Sequence, residues 1–504
     1  MKIDGIKLNI YEDEKELLVR ARKISGIEGK FFRILKKSLD ARDKSKIFYV
    51  YSVEISDTPF EEEKEEVKQY APPSSVVVVG FGPAGMFCAL SLARAGFKPI
   101  VIERGGNVEE RKQATQAFFN SALLDSECNI QYGEGGAGTF SDGKLNTGIK
   151  SEYKAFIMRE LVKHGAPEEI LYLNKPHVGS DNLPKVVKSI REEIIALGGK
   201  VLFNTALTDA KIQNGRITKL TVREKSGKSY NIDCDEVVLA IGHSSRDTYE
   251  KLFNHGVVME QKDCAIGFRI EHLQEDINRA QFGKEIGIVA DYKAVSNVSE
   301  RGVFSFCMCP GGVVVPASSE EGGVVTNGMS EFKRDKINAN SAIVCQIRSS
   351  DYGSGVLDGI QYLRNIERRA YALGGENYCA PVQNVSDFLK NKQSKSFEKV
   401  LPTYAIGTQF AKADDILPSY VCDSIRIGLN DIDKRIKGFV KSGVITMPET
   451  RTSSPVRIVR GENLSAVGIS NTYPCGEVGF AGGITSSAVD GLKVANAIKQ
   501  KYEK

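Results

Sequence analysis

The sequence predicts an α/β fold: a Rossmann-like dinucleotide-binding domain, interrupted by an inserted α+β domain and preceded by a small N-terminal α/β domain. Three observations carry this. Residues 76–85 read Val-Val-Val-Val-Gly-Phe-Gly-Pro-Ala-Gly, an apolar strand running directly into G-x-G-x-x-G. A second strand, 99–102, ends at Glu103, close to the ~20-residue spacing at which a dinucleotide-binding βαβ unit carries its ribose-binding acid. Far along the chain, an apolar strand at 236–241 and a Gly-rich turn at 476–484 return to the same kind of domain.

The elements follow in order. Residues 1–70 form the small domain, with strands expected at 5–11 and 48–55 and a charged amphipathic helix at 12–24. The acidic run 61–66 and Pro72-Pro73-Ser74-Ser75 read as a linker. Residues 75–248 are the first part of the nucleotide domain. Here Gly80 lets the strand turn, Gly82 lets main chain approach a pyrophosphate, and Gly85 lets a helix pack on the sheet. That helix, led by Pro83 and Ala84 and running over 86–95, aims its free N–H groups at the phosphates. Glu103, with Arg104 beside it, serves the ribose. A helix over 183–197, a strand over 200–203 and a hairpin turning at Asn214-Gly215 follow. Residues 249–445 are the inserted substrate domain, with strands at 264–270, 303–308 and 313–316 and helices at 338–347 and 359–373. Residues 446–504 close the nucleotide domain through a strand at 464–468, a Gly-rich loop and a helix from Thr485.

Composition excludes several classes. The 41% hydrophobic share supports a large core, and the net charge of +4 argues neither for nor against nucleic acid. The 10 Cys contain no C-x-x-C pair, no apolar leader opens the chain, and no run approaches the ~18 apolar residues of a membrane span. The expectation is a reduced, cytoplasmic protein. The five His show no metal-ligand spacing, so no metal site is expected.

The site motifs favour FAD over NAD. The strand Asp235-Glu-Val-Val-Leu-Ala-Ile-Gly242 ends in Ala-x-Gly, followed by His243. Gly476, Glu477, Gly479, Gly482, Gly483 and Ile484 form a second Gly-rich loop and helix start, and a flavin needs such a second set of N–H donors. Residues 132–145 read Tyr-Gly-Glu-Gly-Gly-Ala-Gly-Thr-Phe-Ser-Asp-Gly-Lys-Leu, a loop too rich in glycine for a helix or strand and able to lie flat on a ligand. Gly136, Gly138, Ser141, Asp142, Gly143 and Lys144 are its cofactor candidates. The same stretch matches G-x-x-x-x-G-K, but Leu145 stands where a P-loop needs Ser or Thr, so ATP binding is rejected.

These motifs resemble a family of FAD-dependent dehydrogenases of glutathione-reductase fold type. The residues carrying the resemblance are the 133–145 loop, Phe-Cys-Met-Cys-Pro-Gly-Gly at 306–312, Asn-Gly-Met-Ser within 325–330 and Arg-Thr-Ser-Ser-Pro-Val-Arg at 451–457. More distantly, 304–312 is similar to a stretch of geranylgeranyl reductases. The family's usual C-terminal Gly-Glu-Gly-Ala-Gly-Tyr-Ala-Gly-Gly is one residue shorter here. The resemblance implies a redox flavoenzyme with non-covalent FAD and says little of its substrate.

The residues add detail. No C-x₄-C pair follows the first motif, which excludes a disulfide reductase of that type. Gly353-Ser-Gly355 lacks a preceding strand, so no dedicated NAD(P)H domain is expected; a nicotinamide would serve as a transient donor. Cys307 and Cys309, at i and i+2 of a strand, face one side and are candidates for redox or substrate contact. Lys144 would place positive charge at the flavin edge, and Arg451 would hold the flavin edge or an acidic substrate. The leading expectation is hydride transfer between flavin N5 and a small or apolar substrate in the inserted domain. The alternatives are an RNA-modifying flavoprotein, from the basic residues Arg33, Lys36, Lys37, Arg42, Lys44 and Lys46, and a non-catalytic flavin-binding protein.

Overall fold

The four valines that open the nucleotide domain are buried on both sides, which explains a run with no polar alternation. In the computed structural model, which describes residues 1–61 and 68–504, they form the central strand of a five-stranded parallel sheet. The order is Thr472–Pro474, Glu236–Leu239, Val76–Val79, Ile100–Ile102, Lys200–Leu202. Val76 and Val78 pack with the helices Pro83–Arg94, Leu183–Ala196 and Ile484–Lys501 on one face. Val77 and Val79 pack against the antiparallel sheet Thr205–Gln213, Arg216–Glu224, Ser229–Asp233 on the other. Among the described residues no helix is long and apolar enough to cross a membrane.

The N-terminal strands Lys2–Asn9, Phe31–Asp40 and Phe48–Ser56 form a sheet with Phe48–Ser56 central, and Leu17 and Ala21 of the Glu16–Ser25 helix seal its core. The Phe31–Asp40 strand was not expected; a register shift between Ile34 and Lys36 interrupts its alternation. Of the acidic linker run, residues 62–66 lie outside the described residues. The segment after them is tied down, with Ala71 N–H donating to the Tyr502 carbonyl at 2.8 Å.

The third unit is a seven-stranded sheet, ordered Val295–Ser296, Val303–Cys309, Asn338–Ile347, Cys264–Leu273, Val444–Glu449, Ala380–Asn384, Thr408–Phe410. The helices Asp358–Leu373 and Ser419–Arg435 pack against it. Two expectations are corrected. Residues 338–347 are a strand, not a helix: their apolar spacing suits either, and pairing with strands on both sides decides. Residues 464–468 are not the closing strand, because Leu464 turns left-handed (φ 65°); Thr472–Pro474 takes that place beside Glu236–Leu239. A strand does precede Gly353 and Gly355, but it belongs to an antiparallel ladder, and the Gly355 N–H is occupied by Asp358 at 2.7 Å.

Candidate active site

A cavity of about 610 Å³ runs from the parallel sheet to the seven-stranded sheet. Its nucleotide end is main chain. Gly80, Gly82, Pro83, Ala84, Gly136, Gly138, Gly242, Gly482, Gly483 and Ile484 all line it. Two helices begin here, one capped by Gly82 and one by Gly483, so two sets of N-terminal N–H groups and two positive helix ends converge. A Cβ on Gly82 would have Gly136 Cα as its nearest protein atom, at 3.7 Å. A side chain there would therefore extend into the cavity.

Three motif glycines stand behind this wall rather than in it. A Cβ on Gly85 would sit 2.0 Å from the Gly80 carbonyl oxygen, which makes Gly85 the contact between helix and sheet. A Cβ on Gly476 would lie 2.8 Å from Ala84 Cβ, and one on Gly479 2.7 Å from the Pro474 carbonyl oxygen, while the Gly476 N–H donates to Asp490 at 2.8 Å. The loop shortened by one residue relative to the family thus packs on the first motif's helix.

Glu103 lines the cavity, and its carboxylate also accepts the N–H groups of Phe81 (2.9 Å), Gly105 (3.0 Å) and Gly133 (2.9 Å). It therefore joins the first motif to the Gly-rich loop, with lone pairs left for a ribose. The loop has a second fastener that no sequence motif marks. Arg111, fully buried, donates to the carbonyls of Asn129, Ile130, Glu134 and Gly136. Arg104 stacks over the Tyr132 ring and pairs with Asp247 at 2.7 Å and Glu127 at 3.0 Å. Ser141 bonds the Gly138 carbonyl at 2.7 Å, and Asp142 is held by Arg334 and lies 3.5 Å from Lys144. His243 Nδ1 meets Glu477 at 2.7 Å. Burial would raise the Glu477 carboxyl, but His243 outweighs it and holds it below the usual range.

The far end is walled by Phe306, Cys307 and Glu449 of the seven-stranded sheet and by Asn327 of the two-stranded sheet Val313–Pro316, Thr326–Met329, with Lys144 and Arg451 beside them. Cys309 does not reach the cavity. The expected strand alternation breaks in a register shift between Phe306 and Cys309, with Cys307 left-handed at φ 43°, and Cys309 is buried behind its neighbour. Arg451 is chiefly structural. It makes a two-point contact with Glu367 (3.0 and 3.1 Å), which a second arginine, Arg246, grips from the other side at 2.8 Å. Burial alone would raise Glu367, yet the two guanidinium groups hold it well below the carboxylate range.

Sequence reasoning missed Glu449 and Arg269. Glu449 ends the apolar strand Val444–Glu449, and Arg269 interrupts the apolar strand Cys264–Leu273; a charge inside such a strand is the signal that could have found them. Burial pushes the Glu449 carboxyl up to about 7, although Arg269 Nη1 lies 3.6 Å away and opposes it.

The residues fit FAD. Lys144 Nζ, His243 Nε2, Glu449 Oε2 and Arg451 Nη1 are buried polar atoms of cavity-lining residues that have no protein hydrogen-bond partner. Buried groups of this kind ordinarily find one. A diphosphate at the paired helix ends and a polar ring system at the far end would supply it. Among the described residues no cluster of His, Cys, Asp and Glu is suited to a metal ion.

The fold and site define an FAD-binding oxidoreductase, and comparisons agree. The family model of the pyridine nucleotide-disulphide oxidoreductases matches residues 74–289, and that of the FAD-dependent protein C-terminal domain matches 263–452. A domain of unknown function matches 2–56. A Clostridium beijerinckii protein, named only "Uncharacterized protein", is 46% identical over 98% of this chain and 97% of its own length. The chain belongs to the same family as that relative, the FAD-dependent dehydrogenases of glutathione-reductase fold type, and its cofactor is FAD. Solved structures are remote. A flavin-dependent brominase aligns over 85% of this chain and 80% of its own at 12% identity, TM-score 0.41. A geranylgeranyl bacteriochlorophyll reductase-like protein of Thermoplasma acidophilum aligns over 86% and 78% at 13% identity, TM-score 0.38. Likenesses this weak add nothing to the assignment.

Proposed function

We propose that this oxidoreductase reduces or dehydrogenates a small or apolar molecule held at the far end of the cavity. Bound FAD supplies hydride exchange between its N5 and a substrate carbon. The chain's residues do the rest. Phe306 offers an apolar wall, Asn327 an orienting amide, and Lys144 a positive charge that favours an electron-rich ring. Glu449, whose carboxyl loses its proton near pH 7, can deliver or take the proton that accompanies hydride transfer. The observation that supports this reading best is the cluster of Lys144, Glu449 and Arg451 atoms that lack a protein hydrogen bond opposite the nucleotide cradle.

A nicotinamide nucleotide would act as a transient donor at the same opening. The RNA reading has less to rest on, because Arg33, Lys37 and Arg42 each sit on a carboxylate, of Glu54, Glu14 and Asp40. The test is stopped-flow reduction of the purified flavoprotein by NADH and NADPH, then anaerobic reoxidation against a metabolite library. Substrate-dependent reoxidation is expected. Reoxidation by oxygen alone, whatever metabolite is present, would favour the non-catalytic alternative.

A further inference from the structure

We propose that Cys307 and Cys309 form a thiol–disulfide couple that exchanges an electron pair with the bound flavin. The inference rests on the oxidoreductase reading of this cavity and deepens it. The backbone supplies the first argument. The strand Val303–Cys309 pairs regularly as far as Phe306, then slips, and Cys307 adopts a left-handed conformation that a side-chain-bearing residue rarely takes. Strain of this kind persists where the surroundings enforce it, and it clusters at functional sites. Here it turns Cys307 onto the cavity wall and leaves Cys309 directly behind it.

Cys309 Sγ donates to the Cys307 carbonyl oxygen at 3.3 Å, which holds the two residues against each other. The buried Arg269 guanidinium grips the pair, 2.8 Å from that carbonyl and 3.7 Å from Cys309 Sγ. Lys144 adds a second cation on the cavity side. The contact from Cys309, helped by both cations, holds the Cys307 thiol below its ordinary value against the effect of burial. Cys309 is pushed the other way by the same contact and by burial. This is the division between an attacking thiolate and a resolving thiol. The other eight cysteines, Cys88 and Cys475 among them, have thiols raised by burial. Two residues serving only as packing would need neither the strained backbone nor two cations.

The step balances within the holoprotein. Both S–H bonds are lost and one S–S bond forms. The electron pair and one proton pass to the oxidised isoalloxazine, and the second proton is released toward solvent. With a reduced flavin the same reaction runs in reverse and breaks the S–S bond.

Anaerobic reductive titration of the air-oxidised holoprotein, followed by alkylation and peptide mass mapping, tests this. The wild type should consume twice the reducing equivalents of Cys307→Ser or Cys309→Ser, and its 303–312 segment should carry an internal disulfide. Cys309→Ser should show a long-wavelength thiolate–flavin absorbance that Cys307→Ser lacks, and Cys379→Ser should match the wild type. Wild type that consumes only the flavin's own equivalents, with both cysteines alkylated without prior reduction, overturns the couple. Those two wild-type measurements decide the matter even if a variant fails to fold. A chain that takes up no FAD overturns the functional reading itself and this proposal with it.

Discussion

The two ends of the cavity are built from different materials. The nucleotide end is glycine, helix N-termini and one carboxylate that accepts three main-chain N–H groups. The far end is side chains from several distant strands and loops, Lys144, Phe306, Cys307, Asn327, Glu449 and Arg451, of which Glu449 and Arg451 are buried. A main-chain site imposes residue types at fixed local spacing, because glycine, with no Cβ, allows close approach and takes left-handed turns without strain. A side-chain site imposes no local spacing, because its members meet only after folding.

The largest effect should come from the glycines, and it separates binding from folding. Gly82→Leu has ordinary space for its Cβ, so the protein should fold with a wild-type circular dichroism spectrum. Its side chain would fill the cradle, and the purified protein should be colourless even with added FAD. Gly85→Leu should behave in the opposite way. Its Cβ would lie 2.0 Å from the Gly80 carbonyl oxygen, an overpacking that costs roughly 3 kcal/mol or more. Insoluble or unfolded protein is expected. If the two variants gave the same result, the division between cradle and packing glycines would fail.

The next effect concerns the ion network behind the far end. Glu367 stands between Arg246 and Arg451, all three buried. Glu367→Ala leaves two buried guanidinium groups without their shared carboxylate, which should cost about 3–5 kcal/mol in urea denaturation. The pH dependence has a definite sign. Glu367 ionises more readily in the folded chain than its ordinary value of 4.5 allows, so its contribution is present above that pH. It should be lost as pH falls further, and the wild type should approach the alanine variant in acid.

This contrast explains what the sequence could reveal. The Val76–Val79 strand, the glycines and Glu103 were legible because a dinucleotide dictates them locally. Arg111 was not, since nothing near it in sequence marks the four carbonyls it binds. Residues 338–347 were misread because Ala, Ser, Ile and Val at that spacing satisfy a helix or a doubly buried strand equally, and long-range pairing decides. Cys307 and Cys309 were found as a pair, but the slip that puts one on the wall and one behind it follows from strand register, which a single sequence does not carry.

The smallest expected effect tests whether the far end does chemistry at all. Glu449 lines the cavity with its Oε2 3.6 Å from Arg269 Nη1, and its carboxyl loses its proton only near pH 7. As a proton donor it should sustain flavin reoxidation by substrate below that pH and lose effect as pH rises through it. Glu449→Gln keeps the shape and the wall but cannot exchange a proton. It should lower turnover about 100-fold, the lower range for general acid–base catalysis, and flatten the alkaline limb. FAD content should not change, because the nucleotide end is untouched. A variant that kept the wild-type rate and pH profile would remove Glu449 from proton transfer and leave its pairing with Arg269 as its role.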